Sequence, residues 1–203
     1  MISMTNENHR GFTIWFTGLS GSGKTTLSLA IAQVLEKRGL PVEIFDGDMV
    51  RKTISKGLGY SREDRIENNR RIGVACRQLT ETGQVAIAAV ISPYQEGRET
   101  ARKLHPEGSF IEIYLKCPLE ILKARDTKGL YQKALRGEIP FFTGISDPYE
   151  PPENPELLIW TDHQSIEESL GTIMAWLEQN GLLPSETSRS GRGIDKEQGK
   201  PQP

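Results

Sequence analysis

Cysteine is scarce in this chain, with two residues among 203, and Cys76 and Cys117 match neither metal-site spacing nor a disulfide framework. Both are expected to be reduced, structural thiols. Long apolar runs are lacking too. None approaches the ~20 residues that a membrane helix needs, and residues 1–11 are polar, so the chain reads as soluble and cytoplasmic with no membrane partner. Charge of one sign is also missing. A formal net charge of −2, with charged residues at 26%, gives no large field for nucleic acid or anionic lipid, so any anion-binding surface must be local. There is no internal repeat, and the length suits one domain.

What is present is an alternation. The short apolar segments FTIWFTG (12–18), PVEIFDG (41–47), VAIAAVIS (85–92), FIEIYL (110–115) and LLIW (157–160) read as buried strands. Helix-period stretches lie between them, at 24–38 up to Gly39, 61–82 up to Gly83, about 95–104 and 118–125. The pattern predicts an α/β fold with a mostly parallel five-stranded sheet. SRED at 61–64 has the form of a capping box, and a last amphipathic helix is expected over 165–179. From Pro184 the chain has almost nothing apolar, and a disordered tail is expected over 184–203.

GLSGSGKTT, running Gly18, Leu19, Ser20, Gly21, Ser22, Gly23, Lys24, Thr25, Thr26, follows the first strand directly and opens the first helix. This is the P-loop pattern in the context that confirms it. Its glycines let backbone N–H groups curl around phosphate oxygens, and the helix N-terminus favours the same anion. Lys24 would reach the β and γ phosphates of ATP, and the Thr25 hydroxyl can ligate Mg²⁺. No NKxD guanine signature is present, which favours a small-molecule kinase over a GTPase.

The second strand ends in DGDMVR (46–51), placing two carboxylates and a guanidinium where open α/β sheets bind ligands. Asp46 and Asp48 suit a metal-holding role and a proton-accepting role, in either assignment; an Asx-turn capping a helix from about Asp48 explains Asp46 equally well. In GLGYSREDRIENNRR, Arg65, Asn68 and one of Arg70 or Arg71 fall within two helical turns, as a phosphate or sulfate fork requires. Residues 125–157 mix basic, aromatic, glycine and proline residues with weak periodicity. A mobile cover is expected there, with Arg125 and Lys128 neutralising phosphate and Phe142 offering a face to a base; the alternative is an extended loop pinned by prolines.

Taken in order, WFTGLSGSGKTT, DGDMVR, LGYSREDRIENNRR, ISPYQEGR, RDTKGLYQKALRGEI and FTGISDPYEPPENPEL resemble the adenylyl-sulfate kinase family over about Gly11 to Leu183. The resemblance implies a P-loop NTPase-type three-layer sandwich over 12–183, with a lid at about 125–157. It implies transfer of the ATP γ-phosphoryl group to the 3′-hydroxyl of adenosine 5′-phosphosulfate, with Mg²⁺, in a standalone homodimer. Asp48 and Arg51 would engage the acceptor end of the substrate. Arg65 and Asn68 would hold its phosphosulfate and ribose region, and Tyr60, where the family usually has phenylalanine, would sandwich adenine with Phe142. Lys128 would neutralise the transferring phosphate. Asn69 stands where an aliphatic residue is expected and is given no role.

The family's active-site serine matches Ser92, often labelled a phosphoserine intermediate. A P-loop that aligns donor and acceptor makes a covalent stop unnecessary, and no neighbour in sequence is an obvious base. Ser92 therefore reads as a substrate contact, with Ile91 and Pro93 shaping the wall and Arg98 supporting it. Two alternatives compete: a P-loop kinase for another small acceptor, and a nucleotide-binding module without catalysis.

Overall fold

The computed structural model describes residues 10–183; most of the polar N-terminus and the whole 184–203 tail lie outside the described residues. Five strands, β1 (Phe12–Thr17), β2 (Val42–Asp46), β3 (Val85–Ala89), β4 (Phe110–Lys116) and β5 (Leu157–Trp160), form one sheet in the order β2-β3-β1-β4-β5. Every pairing is parallel. Seven helices complete the described residues: α1 (Lys24–Lys37), α2 (Gly47–Lys52), α3 (Arg62–Glu81), α4 (Gln95–Lys103), α5 (Leu119–Arg125), α6 (Leu130–Leu135) and α7 (Ile166–Gln179).

The three layers follow from the period-two alternation of β1. Phe12, Ile14 and Phe16 face one core with Ile31 and Leu35 of α1 and Ile173 and Leu177 of α7. Trp15 faces the other, with Ile72 and Cys76 of α3 and Ala101 of α4. Burial on both faces explains why β3 reads as an unbroken apolar run and β1 as one interrupted only by Thr13 before its terminal Thr17. On the second face α3 and α4 approach closely because glycine replaces side chains at the contact. A Cβ at Gly73 would lie 3.0 Å from Ala101 Cα, and one at Gly97 would lie 2.6 Å from Asn69 Nδ2.

The capping turn expected at Asp46 is present: Asp46 is the N-cap of the short helix α2 and accepts the Asp48 amide. Two details depart from the sequence reading. β3 ends at Ala89 rather than 92, and residues beyond it leave the ladder. The aperiodic stretch 125–157 contains α6, a helix too short to show a period. Of the capping box expected at Ser61, one half is shown, with Ser61 accepting from the Asp64 amide. A full capping box starts α7, between Ser165 and Glu168.

Behind the sheet's carboxyl end lies a buried ionic cluster. Arg98 Nε is 2.8 Å from Glu112 Oε1, with side chains only 3% and 8% exposed. Arg102 bridges Glu112 Oε2 at 3.1 Å and both oxygens of Glu156 at 2.6 and 2.8 Å. Burial pushes the Glu112 carboxyl up, and Arg98 and Arg102 pull it back. Substituting Glu112 with alanine strands the Arg98 guanidinium in the interior, which is expected to cost about 3–5 kcal/mol. Glu156→Ala removes a partly solvated partner and is expected to cost about 1 kcal/mol. Urea unfolding of both variants checks this, and equal shifts of the two midpoints would refute it.

Candidate active site

At the carboxyl ends of β1, β2 and β3 the chain encloses a cleft of about 640 Å³. The segment Gly18–Gly23 turns from β1 into α1. Gly18 has φ 145°, and a Cβ there would lie 2.5 Å from the Leu115 carbonyl oxygen, so the turn passes too close to β4 for a side chain. α1 starts at Gly23 with no side-chain cap. Its first N–H groups are therefore available to an anion.

Lys24 is buried, and its Nζ donates to the carbonyls of Gly18 at 2.8 Å and Leu19 at 2.7 Å. Burial lowers its pKa to about 7; Lys128 pushes the same way, while Asp46 and Asp48 oppose. Thr25 Oγ1 donates to Asp46 Oδ2 at 2.8 Å, and Asp46 Oδ1 accepts the Asp48 amide at 3.0 Å. The helix cap and the link to the P-loop thus use different oxygens of Asp46. Both readings of that residue hold geometrically. Across the cleft, Lys128 Nζ lies 3.0 Å from Asp48 Oδ2, an exposed pair.

Arg51 stacks over the Tyr60 ring at 4.2 Å and donates to the Gly59 carbonyl at 2.7 Å. Tyr60 keeps 55% of its surface exposed. On the first turns of α3, Arg65 and Asn68 are both buried and line the cleft, and Asn68 Oδ1 has no hydrogen-bond partner among the described residues. Neither Arg70 nor Arg71 lines it. Their hydrogen bonds hold the Glu67 carboxyl down to about 2, so the pair belongs to a helix-surface ion cluster.

Ser92 sits at φ 41°, a left-handed conformation that costs a non-glycine residue of order 1–3 kcal/mol. Its carbonyl accepts from Arg98 Nη1 at 2.8 Å and Thr17 Oγ1 at 3.4 Å, which holds it there. Its Oγ accepts from Trp15 Nε1 at 3.2 Å. That leaves the hydroxyl proton to be given away, and no carboxylate or imidazole bonds to this oxygen among the described residues. Ile91 lines the same wall, and its carbonyl accepts from Thr17 Oγ1 at 2.8 Å.

Not every expected residue reaches the cleft. Arg125 does not line it; its Nη2 donates to the Thr161 carbonyl at 3.1 Å, because α5 ends against the loop after β5. Gly18, Leu19 and Ser22 shape the loop from behind, while Ser20, Gly21, Gly23, Thr25 and Thr26 face the cleft. Phe142 lines it but is only 9% exposed and meets Tyr131 edge-on at 5.1 Å. Trp15 and Thr17 carried no usable signal, because they sit in a strand that reads as core. Asn69, noted only as a departure from an expected aliphatic residue, also lines the cleft. Among the described residues no three His, Cys, Asp or Glu side chains gather as a metal site. The neighbouring oxygens of Thr25 and Asp46 instead fit a cation that brings phosphate oxygens and waters of its own.

The family model described as adenylylsulphate kinase matches residues 10–160. The adenylyl-sulfate kinase of Synechococcus sp. (strain JA-2-3B'a(2-13)) is 51% identical over 176 residues, 87% of this chain and 99% of that protein. Among solved structures, the Mycobacterium tuberculosis APS kinase CysC in complex with AMPPNP and APS is 40% identical. It superposes with a TM-score of 0.80, over 84% of this chain and 99% of that one. A gluconokinase from Sinorhizobium meliloti, at 19% identity and a TM-score of 0.57, shares the fold alone. The match across the P-loop, the cleft and the sheet places this chain in the adenylyl-sulfate kinase family.

Proposed function

We propose that the chain transfers the γ-phosphoryl group of ATP to the 3′-hydroxyl of adenosine 5′-phosphosulfate, giving 3′-phosphoadenosine 5′-phosphosulfate and ADP. The observation that carries this reading is a single cleft into which the P-loop, the Asp48–Lys128 pair, Ser92 and the Tyr60 face all open. Membership of the family supports the choice of acceptor.

The triphosphate lies along Gly18 to Thr26, and Lys24 exchanges the Gly18 and Leu19 carbonyls for phosphate oxygens. Thr25 and Asp46 would hold the Mg²⁺ that accompanies the nucleotide, and that ion would supply neutralisation of phosphate charge. The acceptor adenine lies between Tyr60 and Phe142, with Arg51, Arg65 and Asn68 around its ribose and phosphosulfate. Asp48 takes the 3′-hydroxyl proton, and for that the hydroxyl must compete with Lys128 for the carboxylate. Lys128, released, then faces the transferring phosphoryl group. Positioning and charge stabilisation supply most of the acceleration in such transfers. Ser92 donates its free proton to the acceptor, and because no base activates it we assign it a contact rather than a nucleophilic role. Segment 125–157 serves as the lid over this cleft, with Arg125 at its stem. We place the enzyme in the cytoplasm as a homodimer. The family resemblance supports the dimer, and among the described residues no helix is long and apolar enough to cross a membrane.

Lys24→Ala is expected to lower kcat/KM about 100- to 1,000-fold with the fold intact by circular dichroism. A variant with near-normal product formation from ATP and adenosine 5′-phosphosulfate would sink the assignment. For Ser92→Ala the expected loss is about tenfold, that of one hydrogen bond. A loss matching Lys24→Ala, with labelled phosphate trapped on wild-type Ser92, would restore the covalent intermediate.

The lowered pKa of Lys24 has a sign that can be tested. The free site holds the amine at about 7, and bound phosphate raises it, so nucleotide affinity is greatest below that value and declines as pH rises through it. At about pH 8 ATP binding should therefore take up close to one proton. Titration calorimetry in two buffers of different ionisation enthalpy measures the uptake, and Lys24→Met should abolish it. Identical heats in both buffers for the wild type would exclude it.

A further inference from the structure

The two aromatic walls of the acceptor cleft come from different parts of the chain, and Arg65 is the side chain that joins them. Its Nε donates to the Tyr60 carbonyl at 3.0 Å and its Nη2 to the Phe141 carbonyl at 2.6 Å. The guanidinium is planar and rigid, so its orientation sets the separation of the two walls. That orientation needs an anchor of its own. Asp147 supplies one: its carboxylate lies 3.6 Å from Arg65 Nε, with the two side chains 8% and 12% exposed.

Asp147 is itself fixed from two directions. The Tyr94 hydroxyl donates to both of its oxygens, at 3.0 and 2.9 Å, from the loop that also carries Ser92. The turn that bears Asp147 is closed on itself, because the amides of Ile145, Ser146 and Asp147 all point at the Phe142 carbonyl at 3.0–3.2 Å. Just beyond it, Glu150 Oε2 accepts the Gln95 amide at 2.7 Å, and the Glu150 amide donates to the Pro93 carbonyl at 2.8 Å. One carboxylate thus ties the Phe142 turn, the guanidinium between the walls and the Ser92 loop into a single frame.

We propose that Asp147 is a positioning residue for the acceptor nucleotide, setting the width of the aromatic slot through Arg65 and its distance from Ser92 through Tyr94. The inference rests on the reaction assigned above. Asp147 does not line the cleft and holds no P-loop residue, so its loss should act on acceptor binding through Arg65 and Tyr94 and leave the P-loop untouched. Asp147→Ala is expected to raise KM for adenosine 5′-phosphosulfate about tenfold, with KM for ATP and kcat within about twofold of wild type. Asp147→Asn keeps the shape and an acceptor for Tyr94, and should fall between alanine and wild type. Tyr94→Phe should shift the same constant in the same direction. Calorimetric titration with adenosine 5′-phosphosulfate alone reads the effect without turnover and should show the same weakening. A lowered melting temperature with unchanged acceptor KM and Kd would mean that Asp147 is only structural, and equal rises in both KM values would also overturn the proposal. A wild-type chain that neither binds nor phosphorylates this acceptor would overturn the assigned reaction, and the inference with it. A wild type that does both while Asp147→Ala equals it would overturn the inference alone.

Discussion

The complete burial of β1 governs the rest of this molecule. A strand covered on both faces and paired on both edges has nowhere to place polar groups except at its ends. Past Thr17 the chain must turn back into α1, whose first N–H groups no side chain caps. A phosphate-binding loop is the arrangement in which those uncapped donors become useful. The same strand also steers the Ser92 loop, since Trp15 reaches the serine oxygen and Thr17 reaches the carbonyls of Ile91 and Ser92. Core and site are therefore built from alternate residues of one six-residue segment.

The charges in the cleft are arranged around that constraint. Lys24 and Lys128 face Asp46 and Asp48 in a local balance around the P-loop, while Arg51 and Arg65 add positive charge on the acceptor side of the cleft. A triphosphate with its cation, and an acceptor bearing phosphate and sulfate, disturb this balance and release partners from each other. Arg98 and Arg102 lie behind the wall, committed to Glu112 and Glu156. Their contribution to the site is shape, delivered through the Ser92 carbonyl.

The strands and long helices were legible because period-two and period-3.6 apolar patterns survive where a segment is long and its cover uniform. α6 was hidden for the opposite reason, since six residues cannot display a helical period, and the equally short α2 was legible only through its capping aspartate. The P-loop was legible because its glycines and lysine serve a local geometry. Arg65 and Asn68 could be nominated from spacing, yet nothing in their neighbourhood announced Asp147, more than seventy residues away in sequence, as the group facing Arg65. Arg125 shows the converse limit. A basic residue at the edge of a basic segment invites a phosphate role, but the end of α5 turns it toward the loop after β5.

The close approach of α3 and α4 has a meaning for descent as well as for packing. The space over Gly97 is filled by the amide of Asn69, so a side chain at one position displaces the side chain at the other. A lineage that acquires a Cβ at position 97 must move or replace the side chain at position 69, on the same helical stretch as Arg65 and Asn68. The two positions are therefore expected to change together.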